Sequence, residues 1–472
     1  MKPILIDRRT SNVTLVILFV LTCTTIPSLL YAQTSFGALR QRYAERVKHE
    51  FLFAWNNYKK YAWGHDELKP LTKTYYDWYG KSILMTPVDG YDTMVLMGLK
   101  KQAAEDERLI DDSLSFDKDI SVSNFEITIR MLGGLLSGYE LNHDKKFLEL
   151  ATDLANRLLP VYNSPTGMPY RFVNLKTGKV SGKVSNPAEI GSETLEMGTL
   201  SRLTGNPVYF EKAKKAVVTL FSHRSKIGLV GSSINVETGQ WGDPESHISG
   251  GIDSYYEYLV KAWKLFGDKD FERMWKESAA AVNKYLPQRV NGELWYGRVN
   301  MNTGKLMQPY FGALDAYFPA ELALGGYLKQ AEELQNSCYK MWLYYGIEPE
   351  TINYTNMAIV DSAYVLRPEN IESNYYMWEF THDPEYVCRA ETYFKTFVYD
   401  CKVKNGFASL ANAVTKRKIN ETPSYMFAEV FKYLYLTFAH ASTLPFNKIV
   451  FNTEAHPLWK NFKGPNQGSN RY

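Results

Sequence analysis

Apolar residues recur every three or four positions along most of this chain, which is the period of an amphipathic helix. Connectors rich in Gly, Pro and Asn separate the periodic segments, and some of them read as short hairpins. The pattern therefore predicts that nearly all the long elements are helices. The predicted helices cover roughly residues 37–62, 87–105, 123–142, 145–158, 187–204, 207–224, 251–266, 269–285, 313–330, 331–345, 369–380, 384–400 and 424–440.

The connectors follow every second helix, as NSPTGMPYRFVNLKTGKVSGK and SSINVETGQWGDPESHISGG do. Similar helix pairs return at a spacing of about 60 residues without a fixed sequence repeat. This arrangement favours a toroid of helical hairpins over a stacked solenoid. No change of composition divides residues 37–462, so we expect one domain there, followed by a polar tail at 463–472.

The N-terminal sequence is basic, then apolar from Val13 to Leu21, and reaches Ala32 after SLLYA. This order is typical of a secretory signal peptide, which we place at residues 1–32. An uncleaved membrane anchor is the alternative, because residues 13–32 nearly reach spanning length. Either interpretation predicts export, to the periplasm or medium of a bacterium or to the secretory lumen of a eukaryote.

The composition narrows the classes of function. The chain has 54 basic and 51 acidic residues, a net charge of +3 and no basic block, which argues against nucleic-acid binding. Aromatic residues make up 14%, including 34 Tyr and 10 Trp. Such side chains offer the flat faces with a polar handle that sugar clefts use, and they equally fill large helical cores.

Cysteine usage gives little support to a disulfide framework or a zinc site. Cys23 fits a lipoprotein signal only loosely, and if it leaves with the signal three cysteines remain. An odd number cannot form a complete set of disulfides. Cys388 and Cys401 are candidates for a pair, and buried free thiols are the alternative.

Two pairs of charged residues lie on helix faces. Glu126 and Arg130 are four residues apart and can neutralise each other. Asp253 and Glu257 are also four apart, on a stripe that otherwise faces the interior. Like charges at this spacing repel each other, so they require a cation, a ligand or a proton.

Further acidic residues occur at helix starts or inside apolar helices: Glu369 and Glu372 in RPENIES, Glu196, Glu350 and Glu429. Each alone is explained by a solvated face or by the helix dipole. In a ring of helices they would converge on one acidic pocket, which needs a hard cation or a polyhydroxylated ligand. Glycoside hydrolysis in particular needs two carboxyl groups, one protonated and one ionised.

The chain resembles glycoside hydrolase family 47, the class I α-1,2-mannosidases and their relatives in endoplasmic-reticulum-associated degradation. The resemblance extends over residues 37–457, and a bacterial member is included among the possibilities. Nine segments carry it, in chain order: YAWGHDELKP, VDGYDTMVLMGL, FEITIRMLGGLLSGYEL, AEIGSETLEMGTLSRLTG, DSYYEYLVKAW, GIEPE, LRPENIES, SYMFAEVFKYLYLTF and FNTEAHP.

The resemblance implies an all-α (α/α)₇ barrel with short β-hairpins in its connecting loops. It also implies an exo-acting enzyme that hydrolyses terminal α-1,2-linked mannose with inversion and requires Ca²⁺. The expected partner is a mannose-containing oligosaccharide or glycan. No protein partner and no nucleic acid are implied, and we expect a monomer.

Site residues are carried over by matching motifs. Glu126 matches the proposed general acid, Glu369 the base that activates water, and Asp253 a third catalytic carboxylate that acts as acid or as its partner. Thr453 matches the Ca²⁺ ligand, which binds through its carbonyl and hydroxyl oxygens. The residues that match the pocket around the sugar and the metal-bound waters are Asp89, Arg130, Glu196, Glu257, Glu350, Arg367, Glu372, Tyr425 and Glu429.

Some positions depart from the family pattern. Tyr317 stands where processing members have a Cys, so its usual partner, Cys338, is expected to be unpaired. Pro423 replaces an acidic residue near the leaving sugar, and Tyr425 replaces a Phe that stacks on the sugar.

Two alternative functions remain. One is a non-catalytic or weakly active mannose-glycan-binding protein on the same scaffold. The other is a different toroid glycosidase or lyase, which the NTEAHP terminus argues against.

Overall fold

The computed structural model describes the backbone of residues 11–461 and the side chains of residues 36–461. The predicted signal at 1–32 lies outside the described side chains, and the tail at 463–472 lies outside the described residues. The helices of the described chain are α1 Ser11–Tyr61, α2 Met85–Leu96, α3 Lys100–Ser113, α4 Asn124–Ile127, α5 Gly133–Asn142, α6 Lys145–Leu158, α7 Pro187–Gly191, α8 Thr194–Thr204, α9 Val208–Ser222, α10 Asp253–Phe266, α11 Lys269–Tyr285, α12 Phe318–Leu324, α13 Leu328–Tyr345, α14 Glu369–Thr381, α15 Pro384–Cys401 and α16 Phe431–Phe438.

The strands are two to four residues long. They are β1 Glu67–Lys69, β2 Thr74–Tyr76, β3 Ser121–Ser123, β4 Phe172–Asn174, β5 Val180–Ser181, β6 Val184–Ser185, β7 Ser233–Asn235, β8 Trp241–Asp243, β9 Glu245–Ser246, β10 Pro287–Val290, β11 Glu293–Tyr296, β12 Arg298–Asn300, β13 Leu306–Gln308, β14 Tyr310–Gly312, β15 Thr351–Asn353, β16 Ala358–Asp361, β17 Lys402–Val403, β18 Gly406–Phe407, β19 Leu410–Asn412, β20 Arg417–Lys418, β21 Ile449–Phe451 and β22 Pro457–Trp459. All pairings between them are antiparallel.

The helices of the described chain form seven pairs arranged in a ring, six of them hairpins and the seventh made by the first and last helices. Each inner helix packs against an outer one: α2 on α3, α5 on α6, α8 on α9, α10 on α11, α12 on α13, α14 on α15 and α16 on α1. The inner helices also contact their neighbours around the ring, and the segment before α16 returns to α2. The predicted (α/α)₇ barrel with short β-hairpins in its loops is therefore confirmed.

The pairing of α1 with α16 closes the ring. Phe51 and Trp55 of α1 are fully buried, and their rings lie 5.4 and 5.6 Å from that of Phe427, just before α16. Burying a large apolar side chain stabilises a fold by about 1.5–3 kcal/mol. Ring closure therefore depends on apolar contacts between the two ends of the barrel sequence.

Some predicted helix boundaries are wrong. The segment predicted as one helix over 87–105 is two, α2 and α3, because Gly98 between them has a φ of +69°. The segment predicted over 187–204 breaks between Gly191 and Thr194. The segment predicted over 123–142 holds a π-helical turn at Thr128–Leu132, and a second π turn spans Met426–Val430 ahead of α16.

A hairpin turn recurs on the connectors, although no fixed repeat is apparent from the sequence as a whole. Its first residue is an Asn whose side-chain oxygen accepts backbone N–H groups two or three residues ahead, and its fifth residue has a positive φ. An Asx turn followed by a left-handed residue reverses the chain in five residues. The turns begin at Asn174, Asn235, Asn300, Asn353 and Asn412.

The cysteines of the described chain are free thiols: Cys338 and Cys401 are buried and Cys388 is exposed. The unpaired state expected of Cys338 is confirmed, and Cys388 and Cys401 do not form a disulfide. Within the described residues, no helix combines the length and apolar character needed to cross a bilayer.

The hairpin of β21 and β22 closes the end of the ring away from the connectors. The Asn452 side chain in its turn donates to the Ile129 carbonyl at 2.8 Å and to Glu196 at 2.8 Å. Helix α5 accepts this turn only because it begins with glycines: a Cβ on Gly133 would lie 2.4 Å from the Asn452 amide nitrogen.

A buried ionic cluster fixes the same turn. His456 Nδ1 lies 2.8 Å from Asp92, and the Lys432 ammonium lies 2.7 Å from the same carboxylate. Burial alone would lower the pKa of His456, but Asp92 and Asp89 outweigh it and raise that pKa to about 9. The imidazolium form is therefore part of the folded structure.

The resistance of the protein to urea should fall between pH 6.5 and 9. A folded-state pKa raised above the unfolded value of about 6.5 gives stability that is complete below that value and is lost as the pH rises. Urea midpoints measured across this range should fall with pH in the native protein and change less in His456→Asn.

The exposed His49 provides the control, since His49→Asn should keep the native pH dependence. An equally steep decline in His456→Asn would contradict the assignment.

Candidate active site

A cavity of about 280 Å³ opens inside the ring, at the end where the inner helices begin. Several helices have a carboxylate in their first turn that lines the cavity, among them Glu126 in α4, Asp253 in α10 and Glu369 in α14. The free N–H groups and the dipole of a helix N-terminus favour negative charge there. Ring closure thus places acids that are far apart in sequence around one space.

The structure brings most of the predicted site residues together. Those that line the cavity are Glu126, Arg130, Asp253, Glu257, Arg367, Glu369, Glu372, Tyr425, Glu429 and Thr453. Three others lie behind its wall: Asp89 and Glu196 are fully buried, and Glu350 supports Arg367. The catalytic roles of these residues stay predictions.

Arg130 connects several acids of the wall. Its Nε donates to Glu126 at 3.0 Å, and its Nη1 pairs with Glu454 and lies 3.7 Å from Asp89. The guanidinium also lies 5.4 Å from the centre of the Trp78 ring. Burial opposes the charged form, but these carboxylates outweigh it and raise the pKa of Arg130. A permanent positive charge therefore lies beside Glu126.

Arg367 positions the opposite wall. Its Nε donates to both oxygens of Glu350, at 3.0 and 3.1 Å, and its Nη1 lies 4.0 Å from Glu369. The preceding Leu366 has a φ of +60°, a conformation that costs a non-glycine residue energy and is found at functional sites. The backbone strain at Leu366 and the ion pair together fix the direction of Arg367.

Glu369 has an acceptor without a partner. Burial raises its pKa to about 8, although Arg367 lowers it in part. Its Oε2 is buried and has no hydrogen-bond partner in the protein. An unsatisfied acceptor of this kind is expected to bind a water or a ligand hydroxyl.

Asp253 is suited to hold a proton near neutral pH. Burial raises its pKa to about 7, the Ser254 N–H at 2.9 Å opposes the shift, and Glu257 adds to it. Its main-chain carbonyl accepts a hydrogen bond from the Tyr317 hydroxyl at 2.9 Å, which fixes the start of α10. Glu126, by contrast, accepts a hydrogen bond from the Arg130 guanidinium at 3.0 Å.

Lys261 supplies the cation that the pair of Asp253 and Glu257 requires. Its ammonium is fully buried and lies 2.5 Å from Glu257, 3.4 Å from Glu372 and 3.5 Å from Glu321. Burial would lower the pKa of Lys261, but the three carboxylates outweigh it and raise it well above its usual value. The ammonium therefore neutralises part of the wall from within the protein.

The surroundings of Thr453 suit a hard metal ion. Its backbone N–H contacts the Tyr258 hydroxyl at 3.3 Å, and that hydroxyl donates to Glu196 at 2.7 Å. The second oxygen of Glu196 has no partner, and Glu429 is buried with a pKa raised by burial and by Glu454. Carboxylate, hydroxyl and carbonyl oxygens are the ligands that a hard cation prefers. The oxygen-rich surroundings therefore fit such an ion, directly or through waters.

Sequence reasoning missed several residues of the site. Glu454 directly follows Thr453, and Glu189 lies in the motif AEIGSE that was already singled out. Lys261 follows Glu257 by four residues, a spacing that predicts an ion pair on one helix face. Glu321 had no local signal, because only the packing of α12 on α10 brings it to Lys261.

Comparison with known sequences places the chain among glycosidases. The profile of glycosyl hydrolase family 47 matches residues 50–460. The mannosyl-oligosaccharide 1,2-alpha-mannosidase MNS1 of Arabidopsis thaliana is 35% identical over 88% of this chain and 78% of its own length. The ER degradation-enhancing alpha-mannosidase-like protein 2 of Mus musculus is 35% identical over 88% and 77%.

Comparison with solved structures agrees with the comparison of sequences. The alpha-1,2-mannosidase from Trichoderma reesei superposes with a TM-score of 0.83 at 28% identity, over 89% of this chain and 99% of its own. A cellobiose 2-epimerase from Bacillus thermoamylovorans gives a TM-score of 0.54 at 13% identity, over 69% of this chain and 90% of its own. The second likeness concerns the fold alone.

Replacing Lys261 with Met should lower the free energy of unfolding at pH 7 by about 3–5 kcal/mol, because removing one partner leaves buried like charges uncompensated. The loss should shrink as the pH falls towards about 4.5, where the unfolded carboxylates also take up protons. Urea unfolding at pH 5 and pH 7 measures both effects.

Lys264 serves as the matched control, because it follows by one turn on the same helix and is only partly buried. Lys264→Met should change stability by much less. A pH-independent loss in Lys261→Met would show that packing, not charge, explains the effect.

Proposed function

Since this chain belongs to glycosyl hydrolase family 47, we propose that it is an α-1,2-mannosidase that removes terminal α-1,2-linked mannose from mannose-rich oligosaccharides. The observation that carries the proposal is the convergence of Glu126, Asp253 and Glu369 on one cavity between two arginines. A pair of carboxyl groups in different electrostatic settings is what glycoside hydrolysis requires.

The same arrangement supports inversion. Glu369 has a buried oxygen without a partner beside Arg367, which suits it to bind an attacking water. Burial raises its pKa to about 8, so Glu369 acts as the base once Arg367 and the divalent ion proposed below favour its ionised form. An inverting enzyme places its acid on the opposite side of the sugar ring from this water. The other acids of the cavity that lie at helix starts on separate helices include those of α4 and α10.

Asp253 is the better of the two proton donors. A general acid must be protonated in the working enzyme, and the pKa of Asp253 is about 7. Glu126 accepts a hydrogen bond from the Arg130 guanidinium at 3.0 Å, so its role is to orient the substrate or a water.

Ca²⁺ is the metal that we propose for the site at Thr453. The residues that would hold it are Thr453 itself and, through waters, Glu196, Glu372 and Glu429. When bound, the ion would supply positive charge that favours the ionised carboxylates and would coordinate sugar hydroxyls. The group of Glu257, Glu321 and Glu372 is less suited to a metal of its own, since the Lys261 ammonium already lies among them.

The purified protein should release mannose from α-1,2-mannobiose, and the first product detected by NMR should be the β-anomer, as inversion demands. Glu369→Gln should lower kcat by about a thousandfold or more, because the substituted amide cannot accept the proton of the attacking water. Glu379→Gln, at the far end of α14, should retain native turnover.

Native turnover in Glu369→Gln would show that Glu369 is not the base. Mannobiose binding without mannose release by the native protein would instead favour the glycan-binding alternative.

Asp253→Asn should abolish the fall in kcat/KM above about pH 7, whereas Glu126→Gln should leave that part of the pH profile in place.

Removal of divalent ions with a chelator should abolish mannose release, and Ca²⁺ should restore it. Isothermal titration should show Ca²⁺ binding that is weakened at least tenfold in Thr453→Val, which keeps the carbonyl and the side-chain volume but loses the hydroxyl oxygen. The surface variant Thr152→Val should bind Ca²⁺ as the native protein does. Activity that persists in chelator would contradict a metal requirement.

A further inference from the structure

The hairpin of β1 and β2 exposes two aromatic rings. It joins α1 to α2, and Tyr75 and Tyr76 in its second strand are 49% and 45% exposed. Most other tyrosines of the barrel wall are buried, so two adjacent exposed rings on a strand call for a reason.

The strand pairing decides which ring faces the cavity. Tyr76 lies directly opposite Glu67, and residues opposite each other in an antiparallel pair point to the same side. The Glu67 carboxylate accepts the backbone N–H of Ser424, the neighbour of Tyr425 in the cavity wall. Tyr76 is therefore on the cavity side of the hairpin.

Tyr75 is on the other side. It lies opposite Leu68, which is buried against the outer part of the barrel near Gly406. One face of the Tyr75 ring stacks on His65 with a centroid distance of 3.3 Å. The two neighbouring tyrosines thus have similar exposure and opposite directions.

Trp78 lies two residues after Tyr76 and contacts the wall of the cavity. Its backbone N–H donates to Asp66 Oδ2 at 3.1 Å, and the Ile83 N–H donates to the other oxygen of that carboxylate at 2.8 Å. Its ring lies against Arg130 of the cavity wall. Asp66 is buried, so the loop that carries Trp78 is held in one conformation.

We propose that Tyr76 and Trp78 form a platform on which the second and later sugar rings of the substrate stack while the terminal mannose occupies the cavity. The inference rests on the proposed function and adds a preference for longer oligosaccharides. Sugar rings have apolar faces of C–H groups, and an aromatic ring fixed beside the cleft offers them contact area at little entropic cost. The contact of Trp78 with Arg130 of the cavity wall indicates that the occupant of the platform is the same oligosaccharide.

The test compares α-1,2-mannobiose with a linear α-1,2-linked mannotetraose. Tyr76→Ala should lower kcat/KM for the tetraose by roughly fivefold to tenfold more than it lowers kcat/KM for the disaccharide, the size expected of one aromatic contact. Tyr76→Phe should keep the native ratio, because stacking needs the ring and not the hydroxyl. Calorimetric binding of the tetraose to Glu369→Gln, with and without Tyr76→Ala, gives a readout independent of turnover.

Tyr75→Ala is the matched control and should keep the native ratio of the two substrates. The platform is wrong if Tyr76→Ala lowers both substrates equally, or if Tyr75→Ala reproduces its selective effect. If the native protein releases no mannose from either substrate, the proposed function is wrong. That outcome differs from those that contradict the platform alone.

Discussion

The concentration of negative charge inside a closed ring of helices is the constraint on which the rest of the structure depends. The cavity is lined by eight carboxylates and only two guanidinium groups. Helix N-termini favour acids locally, but burial and mutual repulsion disfavour their ionised forms. The raised pKa values of Asp253 and Glu369, at about 7 and 8, are direct consequences of this conflict.

Buried cations neutralise part of this negative charge in the cavity wall, behind it and beneath it. Arg130 and Arg367 lie in the wall, where they also fix the directions of the acids beside them. Lys261 neutralises acids from behind the wall, and the His456 and Lys432 cations balance Asp92 beneath it. The charge that stays uncompensated is near Thr453, where a divalent ion and sugar hydroxyls would satisfy it.

Irregular backbone places several of these groups. Arg130 and Glu429 both lie in π-helical turns, which insert an extra residue and so rotate the side chains that follow. Leu366 and Ala455 adopt positive φ values next to Arg367 and Glu454. Such conformations persist only where surrounding packing imposes them. The apolar shell, closed by α1 on α16, therefore supports the strain of the site.

The sequence by itself determined the helix pairs, the ring they form and the acids at their first turns, because helical period and local spacing are properties of neighbouring residues. The four-residue spacing of Glu257 and Lys261 in the sequence also predicts their ion pair. Only the tertiary structure decided that Asp89, Glu196 and Glu350 lie behind the wall, that Glu321 joins Lys261, and that Tyr75 and Tyr76 lie on opposite sides of their hairpin. Those outcomes depend on contacts between segments far apart in the chain, and such contacts exist only once the ring has closed.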